Sequence, residues 1–187
     1  AGGRWPVAPL AGLRVLDLSR FIAGPHCSML LADLGADVVK VEKKDGGDDS
    51  RNLGPAIAGQ SLYSLVFNRN KRSVALDFRS PEAQAQIREL AAQSDVLIEN
   101  FRPGTLDEMG CGVDVLHEIN PKLIIVQISG FGQTGPWSRR PCFDAIGQAL
   151  GGLMSITGEP DGKPVPCGTF VVDYGASLYA TVSILAA

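Results

Sequence analysis

Apolar runs typical of strands alternate along the chain with segments in which apolar residues recur every three or four positions. The first run covers residues 13–18, a helical pattern follows at residues 25–34, and a second run covers residues 38–41. This order predicts a β-α-β unit whose two strands pair in parallel through a right-handed crossover. Pro25 suits the first position of the helix, where its missing N–H costs no hydrogen bond.

The alternation continues through the rest of the chain. Helical patterns cover residues 61–68, 81–93, 106–109 and 113–119, and strand patterns cover residues 73–77, 95–99 and 123–129. The polar stretch 45–60 is predicted to be an exposed loop. The strand at 123–129 is apolar almost throughout, which is typical of a parallel strand covered on both faces. The whole pattern predicts an α/β fold with a doubly wound, mostly parallel sheet.

The last pattern is an apolar helix over residues 174–187, preceded by Asp173. It has neither a glycine cap nor a cationic last turn, so its apolar side chains are expected to need further partners. We therefore expect the chain to be a fragment, or a piece that requires another chain. Residues 1–9 are expected to form an N-terminal extension, and residues 10–187 a single domain.

Composition narrows the possible functions. Of the 187 residues, 45% are hydrophobic and 20% are charged, as in folded globular proteins. A net charge of −3 without a basic cluster argues against a nucleic-acid partner. No apolar run reaches about 18 residues and no secretory signal is present, so we expect no membrane partner. The expected location is the cytoplasm, or the mitochondrial matrix if the source is a eukaryote. Four scattered cysteines without a CxxC pair predict free thiols and no metal site.

The β-α-β start suggests a dinucleotide site, but the turn after the first strand does not support one. Residues 19–25 lack the GxGxxG pattern, so the backbone cannot approach a pyrophosphate closely. Pro25 also removes an amide that would bind phosphate. Glu42 does stand where a ribose-binding acid is expected. One feature of two is a weak match, and nicotinamide or flavin chemistry is disfavoured.

A series of motifs carries the main resemblance. They are LDLSR at 16–20, AGP at 23–25, LGADVVKVE at 34–42, NRNKRS at 68–73, DVLIENFRPG at 95–104, GFGQTGP at 130–136 and VDYG at 172–175. In this order and spacing they resemble class III CoA-transferases of the CaiB/BaiF type, a family that also contains alpha-methylacyl-CoA racemase. The resemblance covers the chain from about Leu10 onward. It implies a Rossmann-like large domain, an interlinked homodimer, and a C-terminal part with a small domain that this chain lacks.

The same resemblance places Asp173 at the catalytic position of the family. It implies that the carboxylate attacks an acyl-CoA thioester and forms an anhydride, then an aspartyl-CoA thioester from which an acceptor acid takes the CoA. Coenzyme A would be a substrate, with no permanently bound cofactor. Because Asp173 directly precedes the predicted helix, backbone amides and the helix dipole are expected to stabilise its ionised form. From the local sequence alone, Asp173 is more simply the N-cap of that helix.

Phe143 separates two activities within the family. The racemase branch has an acid/base histidine at the matching position, and phenylalanine cannot transfer a proton. His26 and His117 do not match that position either. We therefore expect transfer rather than racemisation. A non-catalytic, CoA-binding fragment remains a third reading.

The positions that match CoA-binding residues of the family come from several segments. They are Phe21, Ile22, Lys43, Leu76, Arg79, Asn100, Arg102 and Phe143, with Lys71 and Arg72 nearby. Lys43 and Arg79 are expected to meet phosphates. Glu108 departs from the family, because some members have a phosphate-contacting arginine there. Ile22 replaces a glutamine of formyl-CoA transferase, and the overall likeness to dicarboxylate transferases suggests succinyl-CoA as donor and a dicarboxylic acid as acceptor.

Overall fold

A computed structural model describes residues 8–187, and it confirms the α/β class and the parallel sheet. The strands are β1 (Arg14–Asp17), β2 (Asp37–Lys43), β3 (Ala56–Ile57), β4 (Gln60–Ser61), β5 (Lys71–Leu76), β6 (Val96–Glu99) and β7 (Ile124–Gln127). Five of them form one parallel sheet in the order β5-β2-β1-β6-β7, and β3 and β4 form a separate antiparallel hairpin. Residues 1–7 of the predicted N-terminal extension lie outside the described residues.

Seven helices lie between and after these strands in the described part of the chain. They are α1 (Ala23–Asp33), α2 (Leu62–Phe67), α3 (Pro81–Ala92), α4 (Thr105–Glu108), α5 (Val113–Ile119), α6 (Asp144–Leu150) and α7 (Val171–Ala186). The start of α3 agrees with its sequence signals, since the Ser80 hydroxyl accepts a hydrogen bond from the Ala83 amide at 3.1 Å and Pro81 is the first helical residue.

Four expectations from the pattern were wrong in detail. Helix α1 begins two residues before Pro25, and the segment 45–60 contains a 3-10 helix (Asp49–Asn52) and the β3–β4 hairpin rather than only loop. Strand β7 pairs with β6 alone, so this edge strand is only partly buried although its sequence is apolar. Helix α7 begins at Val171, which places Asp173 inside its first turn and not at its N-cap.

Helices pack on both faces of the sheet, and the side chains of each strand alternate between the two cores. On one face, Leu16 and Leu97 pack with Ile87 of α3 and Leu116 of α5. On the other face, the core around Val15 also contains Leu31 of α1 and Ile184 of α7. The strand order reverses between β1 and β6, so a crevice opens there at the carboxyl edge of the sheet.

A buried cluster of charges holds β1, β2 and β5 together below that crevice. The Asp17 carboxylate, at 0% exposure, lies 3.0 Å from the Lys71 ammonium and 3.8 Å from that of Lys40. Lys40 also pairs with Asp48 at 2.9 Å, and Ser28 of α1 donates to Asp17 at 2.6 Å. Lys71 is therefore occupied inside the protein and is not open to a ligand.

Exchange of Asp17 for Asn should strongly destabilise the fold. The amide keeps the shape but leaves Lys40 and Lys71 buried with one counter-ion fewer, which should lower the free energy of unfolding by about 3–5 kcal/mol. Urea denaturation followed by circular dichroism measures this change. Asp37→Asn is the matched control, because Asp37 pairs with Arg72 on the surface and its loss should cost less than about 1 kcal/mol.

The same contribution should depend on pH in a defined direction. Burial alone would raise the pKa of Asp17, but the Lys40 and Lys71 ammonium groups outweigh it and hold that pKa well below the usual 3.8. The stabilisation is then complete above about pH 4 and declines as the pH falls further. Equal losses of unfolding free energy in the Asp17→Asn and Asp37→Asn variants would contradict the view that the buried ion pairs of Asp17 stabilise the fold.

Candidate functional site

A cavity of about 610 Å³ opens in the crevice at the carboxyl edge of the sheet. Its walls come from the segments after β1, β6 and β7, from α6 and from the N-terminal half of α7. Six residues singled out from the sequence line this cavity: Phe21, Ile22, Asn100, Arg102, Phe143 and Asp173. The fold thus brings together positions from four distant parts of the chain, although their roles remain predictions.

Asn100 joins the two loops that flank the crevice. Its side-chain oxygen accepts a hydrogen bond from the Arg20 amide at 2.7 Å, and its side-chain nitrogen donates to the Arg20 carbonyl, also at 2.7 Å. A side-chain amide satisfies both backbone groups in this way, because it carries a donor and an acceptor side by side. The loop after β1 is therefore fixed to the end of β6.

Phe21 has a strained backbone that turns it toward the cavity. Its φ angle is +63°, a conformation that bulky residues rarely adopt. The Asp48 carboxylate holds this turn by accepting from the Phe21 amide at 3.1 Å. The Phe21 ring packs edge-on against Phe143, with 5.7 Å between the ring centroids. Strain of this kind persists only where the surroundings enforce it, and here it builds an aromatic wall of the cavity.

Asp173 is the third residue of α7 and is partly buried. Burial raises its pKa, and the nearby Asp144 carboxylate raises it further, to about 6. The expectation that helix amides would favour the Asp173 anion was therefore wrong. Those amides are already occupied: Asp144 accepts from the Val172 amide at 2.8 Å and from the Asp173 amide at 3.3 Å.

Three arginines line the same cavity as Asp173. Arg20 pairs with Asp49 at 3.2 Å and lies 5.5 Å from the centroid of the Phe101 ring. Arg140 stacks on Trp137 at 4.5 Å. Within residues 8–187, neither Arg102 nor Arg140 has a carboxylate at ion-pairing distance. The cavity can therefore receive a ligand with more than one negative charge.

The remaining sequence-predicted positions lie outside the cavity. Lys43 and Leu76 are neighbours at the carboxyl ends of β2 and β5, and Arg79 follows three residues after Leu76. The Lys43 ammonium pairs with the same Asp49 carboxylate that Arg20 contacts. Glu108 is exposed at the end of α4. Contacts of Lys43, Leu76 and Arg79 with CoA remain predictions.

Asp144 and Arg140 are site residues that the sequence reasoning missed. Asp144 and Gln148 are one helical turn apart in a segment of otherwise small or apolar residues, DAIGQAL at 144–150, and such a polar pair signals a buried hydrogen bond. The Gln148 amide does donate to Asp144. Arg139 and Arg140 are adjacent in the sequence, which does not show which of the two faces the site. In the structure, Arg140 lines the cavity and Arg139 does not.

Gly147 permits close contact between α6 and the start of α7. A Cβ atom added at Gly147 would lie 2.7 Å from a methyl group of Val172, which is too close for any real side chain. The first turn of α7 therefore rests directly on the backbone of α6. This contact brings Asp144 within hydrogen-bonding reach of the α7 amides.

Among residues 8–187, neither a metal-ligand cluster nor a histidine is found at the cavity. No His, Cys, Asp or Glu cluster suited to a metal ion occurs among residues 8–187. His26 contacts Ser177 and His117 contacts the Leu123 carbonyl, so neither histidine lines the cavity. In the same part of the chain, no helix combines the length and apolar character needed to span a bilayer.

Comparison with known proteins gives consistent matches. The sequence model of CoA-transferase family III matches residues 10–187. The succinyl-CoA–L-malate CoA-transferase beta subunit of Chloroflexus aurantiacus is 48% identical over an alignment of 187 positions that covers 99% of this chain and 46% of that protein. Human succinyl-CoA:glutarate CoA-transferase is 46% identical over 96% of this chain and 41% of its own length.

A solved structure shares the fold at similar coverage. The CaiB/BaiF family protein from Brucella suis superposes with a TM-score of 0.91 at 43% identity, over 96% of this chain and 48% of that chain. The chain thus spans less than half the length of these relatives.

Two carboxyl groups at this edge of the sheet should titrate well above the usual range. Burial raises the pKa of Glu99 to about 7, and Asp173 should titrate near 6. Titration of the carboxyl ¹³C resonances by NMR measures both, with Asp173→Asn and Glu99→Gln as assignment variants. Midpoints near 4 for both groups would contradict the burial described above.

Proposed function

The chain belongs to CoA-transferase family III, and we propose that it supplies the nucleophilic carboxylate of an enzyme that moves CoA from an acyl-CoA donor to a carboxylic acid. The observation that carries this proposal is the position of Asp173, a partly buried carboxylate at the cavity wall between aromatic and cationic side chains. The relatives named as CoA-transferases support the reaction class.

The proposed reaction proceeds through covalent intermediates on Asp173. The carboxylate attacks the thioester carbonyl of the donor, the C–S bond breaks, and a mixed anhydride and the CoA thiolate form. The thiolate attacks the aspartyl carbonyl, which gives an aspartyl-CoA thioester and releases the donor acid. The acceptor carboxylate then attacks the aspartyl carbonyl of this thioester, which releases the CoA thiolate and forms a second mixed anhydride. Attack of the thiolate on the acceptor carbonyl yields the new acyl-CoA and restores the Asp173 carboxylate.

The surroundings of Asp173 suit this chemistry. With a pKa of about 6, the carboxyl group is ionised at neutral pH and yet more basic than an exposed aspartate. The aromatic pair Phe21 and Phe143 forms an apolar wall, which helps to keep water from a reactive anhydride. Phe143 also leaves the cavity without the histidine that racemisation needs, which favours transfer.

We further propose succinyl-CoA as the donor and a dicarboxylic acid as the acceptor. The relatives are named for succinyl-CoA with malate or glutarate. After one carboxylate of such an acid has reacted, the other still needs a cationic partner in the cavity. Arg140 is well placed for this role, because its guanidinium stacks on Trp137 and has no carboxylate partner among residues 8–187.

We also propose where CoA binds and that the enzyme assembles as a homodimer. Lys43, Leu76 and Arg79 stand at the same carboxyl edge as the cavity, where a long thioester could extend across the ends of β2 and β5. The homodimer is proposed on family grounds, and two relatives are named as alpha and beta subunits.

Asp173→Ala should abolish CoA transfer, by at least about a thousandfold in kcat, because no nucleophile remains. The assay incubates the complete natural polypeptide with succinyl-CoA and a panel of acids, and detects new CoA esters by chromatography. Wild-type kcat/KM should fall as the pH drops through about 6, since the protonated acid cannot attack. Asp114→Ala, in the first turn of α5, is the control and should retain activity. Transfer retained without Asp173 would refute the mechanism.

Arg140→Gln should weaken dicarboxylate acceptors selectively. Loss of one charge-assisted hydrogen bond, worth about 1.5–3 kcal/mol, should raise their KM by tenfold or more and leave monocarboxylate acceptors unaffected. Steady-state kinetics with matched mono- and dicarboxylic acids measures the difference. The neighbouring Arg139→Gln is the control, because Arg139 does not line the cavity. An equal effect on both acid classes would exclude Arg140 as the distal carboxylate partner.

A further inference from the structure

The first turn of α7 lacks a cap of its own. Its N-cap residue is Phe170, which has no side-chain acceptor, and the amides of the second and third helical residues would otherwise be unsatisfied. Asp144 of α6 fills this gap by accepting from the Val172 amide at 2.8 Å and the Asp173 amide at 3.3 Å. A carboxylate from another helix thus caps the turn that carries the proposed nucleophile.

We propose that Asp144 is the positioning residue of Asp173, which it serves by fixing the first turn of α7 and by directing a second negative charge at the nucleophile. The proposal rests on the proposed function, because it assigns Asp144 to the same reaction. Asp144 is 7% exposed and does not line the cavity, so it acts through Asp173 and not on the substrate.

Asp144 is itself held rigidly. The Gln148 side chain, 1% exposed, donates to the second Asp144 oxygen and to the Thr169 carbonyl at 3.2 Å. The Gln148 oxygen accepts from the Cys167 amide at 2.7 Å. These bonds tie α6 to the segment that leads into α7, and they orient the Gln148 amide with its nitrogen toward Asp144. The cap is therefore part of a continuous network rather than a single contact.

The network has an electrostatic consequence for Asp173. Amides at a helix N-terminus normally lower the pKa of a nearby carboxyl group, but here they bind Asp144. The negative charge of Asp144 then lies close enough to raise the pKa of Asp173, which makes the Asp173 anion more basic and hence a stronger nucleophile. The Cys142 thiol lies near Asp173 as well, and the arginines that line the same cavity are Arg20, Arg102 and Arg140.

Asp144→Asn tests this inference, because the amide oxygen can still accept from the α7 amides while the charge is lost. The ¹³C titration midpoint of Asp173 should fall from about 6 toward 3.8 without reaching it, because burial is the larger cause and remains. The acid limb of kcat/KM should move in the same direction, and kcat should fall. Glu99 serves as an internal control, because its midpoint near 7 does not depend on Asp144.

Gln148→Met is the matched variant that loosens the clamp and keeps the charge. It should lower kcat but leave the Asp173 midpoint near 6, so position and charge are separated. In Asp144→Asn, the new amide nitrogen faces the Gln148 nitrogen, which could prevent folding. The double variant Asp144→Asn with Gln148→Met removes the opposing nitrogen without adding a charge, and its Asp173 midpoint should also fall.

An Asp173 midpoint that stays near 6 in both Asp144 variants would overturn the inference. The NMR measurement does not require turnover. If the wild-type protein transferred no CoA, the proposed function would fail while the titration would still decide the role of Asp144.

Discussion

The buried carboxylate of Asp17 is the constraint on which the cavity depends. It fixes the positions of Lys40 and Lys71, and Lys40 in turn holds Asp48, whose carboxylate accepts from the Phe21 amide. Buried charges are tolerated only when all partners are present, so this cluster favours a single arrangement of three strands and two loops. The strained turn at Phe21 is thus held by contacts that begin in the centre of the sheet.

The cavity combines supports of different kinds at one edge of the sheet. The loops after β1 and β6 are locked by the paired hydrogen bonds of Asn100 with Arg20, whereas α6 and α7 are joined by the Asp144 cap. Each support links residues that are distant in sequence, 80 positions apart for Asn100 and 28 for Asp144. The site can therefore form only once the sheet is assembled and α6 and α7 are packed together.

Most of the fold could be predicted from the sequence because local signals and tertiary packing agree. Ser80 and Pro81 mark the start of α3, and apolar runs mark the strands. Local signals gave wrong predictions where the structure of a segment depends on residues from elsewhere in the chain. Asp173 has the sequence context of a cap, but Asp144 takes that role across the α6–α7 contact. Likewise, the edge position of β7 follows from strand order, which its own residues do not encode.

The candidate site was predictable to a similar extent and for the same reason. Six residues identified through ordered motifs meet at the cavity, but the ion pair between Lys43 and Asp49 depends on a loop whose path the motifs do not specify.

Gly147 has a consequence for the sequences of related proteins. Because α7 rests on its bare Cα, any larger residue would push the first turn of α7, which carries Asp173, away from α6. Homologous chains with the same contact between α6 and α7 should thus retain glycine there, and its replacement in a genome sequence would mark a lineage in which this contact has been lost or rebuilt.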